Sequence, residues 1–246
     1  MSLVEHLTEL RDRLIKIVLA VMVGMVVAFL LYNHIFRFLL EPYEQIANSR
    51  NSLTGGKLLQ IDPLEGFGIR MKLAAYGGIA IAMPVILWQI WRFVTPGLYP
   101  HERRYAIPFV LSALVLFVLG AGLAYYTLPR ALEFLVDIGG SDNFVTAFAP
   151  AKYFTLITYM MLAFGIGFEF PILLIFLQMA GIVSVASLRR FRRYAVVGIC
   201  VLVAVITPSG DPISMLMLSV PMMLFYEISI LIGRLLERRR AASANP

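Results

Sequence analysis

The chain has 246 residues, 60% of them apolar and only 15% charged, with a formal net charge of +6; soluble domains carry about 45–50% and about 25%. With a mean hydropathy of +0.82, the apolar excess must face lipid. That excludes a soluble enzyme and a disordered chain, and one cysteine, Cys200 inside an apolar run, excludes an internal disulfide.

A bilayer core of about 30 Å takes about 20 apolar residues as helix. The first such run, about 17–40, follows a mixed-charge segment and is softly interrupted at Tyr32-Asn33-His34. It is longer than a signal-peptide core and does not end in small residues, so it reads as a retained span. Ahead of it, Glu5, Glu9 and Asp12 recur at intervals that place them on one helix face, and Arg13 follows Glu9 at i+4. As a solvated helical ion pair, Glu9–Arg13 is worth about 0.2–0.5 kcal/mol.

Further runs follow at about 73–95, 106–128, 153–183, 194–206 and 213–232. They are apolar on all sides, which a β-barrel with its alternating lumen face does not allow. No linker or internal repeat divides them. The predicted fold is therefore all-α: a single membrane domain, residues 1–246, of six transmembrane helices.

With the N-terminus placed inside, fourteen of the 21 Lys and Arg residues fall on cytoplasmic segments and seven on outer ones. The asymmetry puts both termini in the cytoplasm of a plasma membrane. It also makes Arg189, Arg190, Arg192 and Arg193 a topology signal rather than a nucleic-acid site.

Two carboxylates fall inside spans. Glu169 stands two residues before Pro171. An ionised acid at mid-membrane costs roughly 2.5–3.5 kcal/mol on insertion scales, and Pro171 removes a backbone donor, so the fourth helix should kink and turn Glu169 toward a polar cavity or a partner helix. Glu227, nearer the cytoplasmic end, can snorkel or pair with Arg234. The apolar stretches Tyr194–Ile206 and Ile213–Tyr226, about 20 and 21 Å as helix, are short for a bilayer. The turn between them, with Pro208, Gly210, Asp211 and Pro212, should then be sunken.

His6, His34 and His101 lie at or beyond membrane edges, so none pairs with a buried nucleophile. No metal-binding His pair and no phosphate loop is present. The chain does not read as an enzyme, and no cofactor or metal is expected. Residues alone leave three readings open: a six-span membrane protein with a functional buried Glu, a proton-coupled small-molecule transporter using Glu169, or a scaffold for partner helices.

The chain resembles the TatC family, the multi-span receptor subunit of the twin-arginine protein translocase, over about residues 2–235. The resemblance rests on Ser2 to Leu14, on Phe93-Val94-Thr95-Pro96-Gly97-Leu98-Tyr99-Pro100-His101-Glu102-Arg103-Arg104, and on Phe164 to Pro171. Thr207-Pro208 with Asp211-Pro212 and Ser214, and Pro221 with Tyr226-Glu227, complete it. It implies a receptor for twin-arginine signal peptides that works with TatA- and TatB-type single-span proteins. Together they move folded proteins on the proton-motive force, with the chain forming a homo-oligomer within the complex and binding no nucleic acid. By motif position, Glu9 and Glu102 contact the two arginines, and Arg103, Arg104 and Pro96 support them. Glu169 is the intramembrane polar site, shaped by Pro171, and Thr207 and Asp211 belong to the outer hairpin near a partner helix. The chain departs from the family where Met215 follows Ser214 in place of the usual Gln.

Overall fold

The structure, a computed structural model, describes residues 3–49, 62–94, 106–138, 149–207 and 210–243. Every described element is helical: α1 (Leu3–Leu30), α2 (Tyr32–Ser49), α3 (Glu65–Val94), α4 (Ala106–Ile138), α5 (Pro150–Gly167), α6 (Phe170–Met179), α7 (Val185–Arg190), α8 (Arg192–Ile206) and α9 (Pro212–Ser243). Among the described residues, five stretches are long and apolar enough to cross a membrane: Glu5–Leu30, Glu65–Phe93, Ile107–Ile138, Pro150–Met179 and Pro212–Glu237.

The helices outrun the apolar runs because polar flanks of good helix formers extend them. The largest correction falls at the C-terminus. The sixth predicted helix is not short: α9 runs for 32 residues. Glu227 does not end it and does not pair with Arg234. Its Oε2 takes the Arg192 guanidinium from the start of α8 at 2.7 Å, and a Leu-, Glu- and Arg-rich tail with no breaker carries the helix on. The fifth helix is short as predicted, since the 15 residues of α8 reach about 22 Å.

The soft interruption in the first run is a real break. Helix α1 ends at Leu30, and α2 restarts on the Leu31 carbonyl, which accepts from the His34 and Ile35 amides. The kink at Pro171 is also present. The Glu169 amide tightens onto Ile166 O at 3.0 Å, and the regular pattern resumes with Leu173 N–H on Glu169 O. Proline has no amide to give the Gly167 carbonyl, so the helix divides into α5 and α6 around Phe168-Glu169.

Helix α5 is the axis of the core. Its Tyr153, Phe154, Ile157, Met160 and Phe164 are buried with Leu73 of α3, Leu128 of α4, and Leu218 and Met222 of α9. Small residues set the closest crossings. A Cβ on Gly24 of α1 would strike the carbonyl of Gly78 on α3, and one on Gly120 of α4 would lie 2.5 Å from Phe164 O on α5. Helix α6 is tied to α9 by Gln178, whose Nε2 donates to Ser229 O at 3.1 Å, and by the Ser229 hydroxyl, which donates to Pro171 O at 3.3 Å. Helix α8 buries only Ile199 and Val203 and leaves Val197, Val201 and Val205 exposed.

Candidate functional site: an acidic cleft at the N-terminal membrane edge

Helix α1 starts polar and becomes wholly apolar after Lys16. It packs along α3, so its first turns meet the last turns of α3, where Gln89 and Arg92 interrupt an apolar sequence. Between them lies an open cleft of about 510 Å³, lined by Glu5, Thr8, Glu9, Asp12, Arg13, Lys16 and Arg92. The one-face spacing of Glu5, Glu9 and Asp12 is what brings the three acids together.

Glu9 is not a solvated helical pair. Its side chain is 20% exposed and that of Arg13 only 14%. Arg13 Nε donates to Glu9 Oε1 at 3.0 Å, and Nη2 contacts the same oxygen more closely still. Arg13 Nη1 reaches Gln89 Oε1 on α3 at 3.5 Å, and Gln89 is 9% exposed. The other Glu9 oxygen, Oε2, is buried and accepts from no donor among the described residues. One oxygen thus fixes the carboxylate, and the second keeps its accepting capacity within the cleft lining. The His6 ring stacks on Phe93, with centroids 4.6 Å apart, and holds the start of α1 on the end of α3.

Such an arrangement accepts a cation with N–H donors. A guanidinium can give one N–H to Glu9 Oε2 and another to a neighbouring carboxylate. With Oε1 committed to Arg13, Glu9 alone cannot offer the two-oxygen fork that a bidentate pair needs. The second oxygen must come from another acid of the cleft. The sequence placed Glu102, with Arg103, Arg104 and Pro96, at this site; all four lie outside the described residues.

The sequence reading missed Gln89. A buried amide in the apolar run of α3 was a visible signal for a polar contact, but its partner is set by which helix α1 packs on, and one sequence does not state that.

The second group of expected residues lies deeper. Glu169 is half-buried at the α5–α6 break, and its Oε1 is buried with no partner among the described residues. Pro171, on the first turn of α6, is buried against α9. Thr207 is 4% exposed and donates its hydroxyl to Val203 O at 2.8 Å, closing the end of α8. Asp211 is 2% exposed and its Oδ1 takes the Ser214 amide at 2.7 Å, capping α9. Both residues therefore build the turn between α8 and α9. Met215 packs against the core, while the Ser214 hydroxyl is buried without a partner.

Residues 5–221 match the family model described as Sec-independent protein translocase protein (TatC). The chain is 39% identical to the Sec-independent protein translocase protein TatC of Aquifex aeolicus, covering 98% of both chains. It is 40% identical to the protein of that name from Frankia casuarinae, over 98% of this chain and 68% of the relative. A crystal structure of the twin-arginine translocase receptor TatC in DDM superposes with a TM-score of 0.78 at 39% identity, covering 93% of this chain and 99% of that one.

Proposed function

Because the chain belongs to the TatC family and is a core subunit of the Tat translocase, we propose that its acidic cleft on α1 and α3 receives the arginine pair of a signal peptide. The observation that carries this reading is Glu9, which lines the cleft: its Oε1 is held by Arg13, and its Oε2 is shielded and has no hydrogen-bond partner among the described residues. A tenfold preference for arginine over lysine needs 1.4 kcal/mol. An exposed pair yields about 0–1 kcal/mol, so the shielding of Glu9 is what makes the preference attainable. A planar guanidinium spans Glu9 Oε2 and a second acid, whereas an ammonium presents a point charge to one of them. Glu102 supplies that second acid by motif position, with Arg103, Arg104 and Pro96 shaping the loop around it.

The finer architecture follows the charge distribution: six spans, α8 included, in the plasma membrane, with both termini in the cytoplasm. Glu169, beside the break at Pro171, meets a polar side chain from the membrane helix of a TatA- or TatB-type partner. Thr207 and Asp211 hold the α8–α9 turn in the shape that the partner meets. The chain acts as a homo-oligomer within the complex and as a receptor rather than an enzyme, with transport driven by the proton gradient.

The test is binding of a twin-arginine signal peptide and its twin-lysine variant to the protein in nanodiscs. The arginine peptide should bind about tenfold more tightly, and Glu9→Gln or Glu102→Gln should remove the difference. Unchanged arginine preference in both variants sinks the assignment.

A further inference from the structure

A second cavity, of about 370 Å³, lies among α2, α3, α4 and α5 and takes no part in the site above. Leu31, Ile35, Leu73, Ile81, Phe117 and Met161 contribute to its almost wholly apolar lining. The hydroxyl of Thr158, also in the lining, is already given to Phe154 O at 2.5 Å. On α3, Arg70 stands three residues before Leu73 and seven before Gly77, so it shares the face that lines this groove. It lies at the membrane edge where α1 ends and α3 begins.

Among the described residues the Arg70 guanidinium has no anion. Its Cζ sits 4.7 Å from the ring centroids of both Phe29 and Tyr32, the residues that bracket the α1–α2 joint. Its Nε is buried without a partner. The neighbouring charges are engaged elsewhere: Glu65 Oε1 takes the Ala151 amide at 2.8 Å, and Lys72 Nζ donates to Thr155 Oγ1 at 3.0 Å. A planar fork held between two rings, with donors left over, matches a phosphodiester. The hydrocarbon-lined groove beyond it matches an acyl chain.

We propose that Arg70 and this groove bind one phospholipid, with the phosphate on the guanidinium and an acyl chain running along α3 toward Ile81. The experiment is native mass spectrometry of the delipidated full chain, titrated with phosphatidylglycerol and with a diacylglycerol of the same chains. One phosphatidylglycerol should be retained, about tenfold more tightly than diacylglycerol. Arg70→Gln should reduce its retention to the diacylglycerol level. Arg70→Lys, which keeps the charge but not the fork, should fall between. Ala121→Phe should close the groove and reduce retention of both lipids. Circular dichroism melts establish that each variant is folded. Equal retention of the two lipids by the native chain, or unchanged retention in a folded Arg70→Gln or Ala121→Phe variant, overturns the proposal.

Discussion

Glu9 and Glu169 are both shielded carboxylates, but they are presented differently. Glu9 is pinned by a cation through one oxygen and lines the cleft. Glu169 has no hydrogen-bond partner for its buried oxygen among the described residues; it stands at a helix break, the place of its proposed contact with a donor from a partner's membrane helix. An interhelical hydrogen bond in lipid is worth about 1–2 kcal/mol, a roughly five- to thirty-fold factor. Glu169→Ala should therefore weaken site-specific crosslinking to the partner's membrane helix by that factor while leaving signal-peptide affinity within about twofold. Equal loss of both would mean that the substitution damages the fold. The acid at Glu169 was legible in the sequence because a charge in an apolar run stands out by itself. The pairing of Glu227 with Arg192 was not, because spacing along one helix favoured Arg234 and only the packing of α8 on α9 brings Arg192 near.

Proline interrupts a helix at Pro171 but is carried inside α2, α3, α4 and α9, and tyrosine hydroxyls reach carbonyls at two irregular places. Pro42 in α2 leaves the Phe38 carbonyl without its usual donor, and the Tyr125 hydroxyl of α4 takes that place at 3.0 Å. At the end of α7, where the chain turns into α8, the Tyr226 hydroxyl of α9 donates to Leu188 O at 2.6 Å. These bonds fix how irregular segments sit on neighbouring helices. The interruption at Pro171 was legible, since the proline rule is local; the tyrosine contacts were not, since each acts across 38 or more residues of sequence. The glycines divide in the same way. Gly24 on α1 lies against the backbone of Gly78, whereas Gly122 on α4 has nothing within 4 Å of where a Cβ would stand. Gly24→Ala should destabilise the α1–α3 pair by about 1–3 kcal/mol through overpacking. Gly122→Ala should be neutral or gain up to about 1 kcal/mol from helix propensity. Thermal unfolding in one detergent measures both, and an equal effect at the two sites would show that the α1–α3 crossing is looser than its backbone contact implies.

Across the whole molecule, α8 decides the topology. At about 22 Å it falls short of a bilayer core of about 30 Å, and a chain that crossed only with its five longer apolar stretches would leave its C-terminus opposite its N-terminus. The basic residues argue otherwise. Arg189, Arg190, Arg192 and Arg193 precede the apolar part of α8, and Arg234, Arg238, Arg239 and Arg240 close α9. If α8 did not cross, those two clusters would lie on opposite sides, against the cytoplasmic preference of arginine. If it crosses, both join Arg11, Arg13 and Lys16 on one side. Helix α8 buries only a narrow stripe on α9 and exposes the rest, so local thinning of the bilayer or a partner helix must meet its short length. In a Cys200→Ser background, Ala186→Cys should react with a membrane-impermeant maleimide only in inside-out vesicles, and Lys152→Cys only in right-side-out ones; both positions are exposed. A protease-sensitive tag after Pro246 should be cleaved only in inside-out vesicles. Each crossing reverses the side, so cleavage in right-side-out vesicles would count five spans. That result would also remove the shared cytoplasmic face on which the acidic cleft and the C-terminal arginines are placed together.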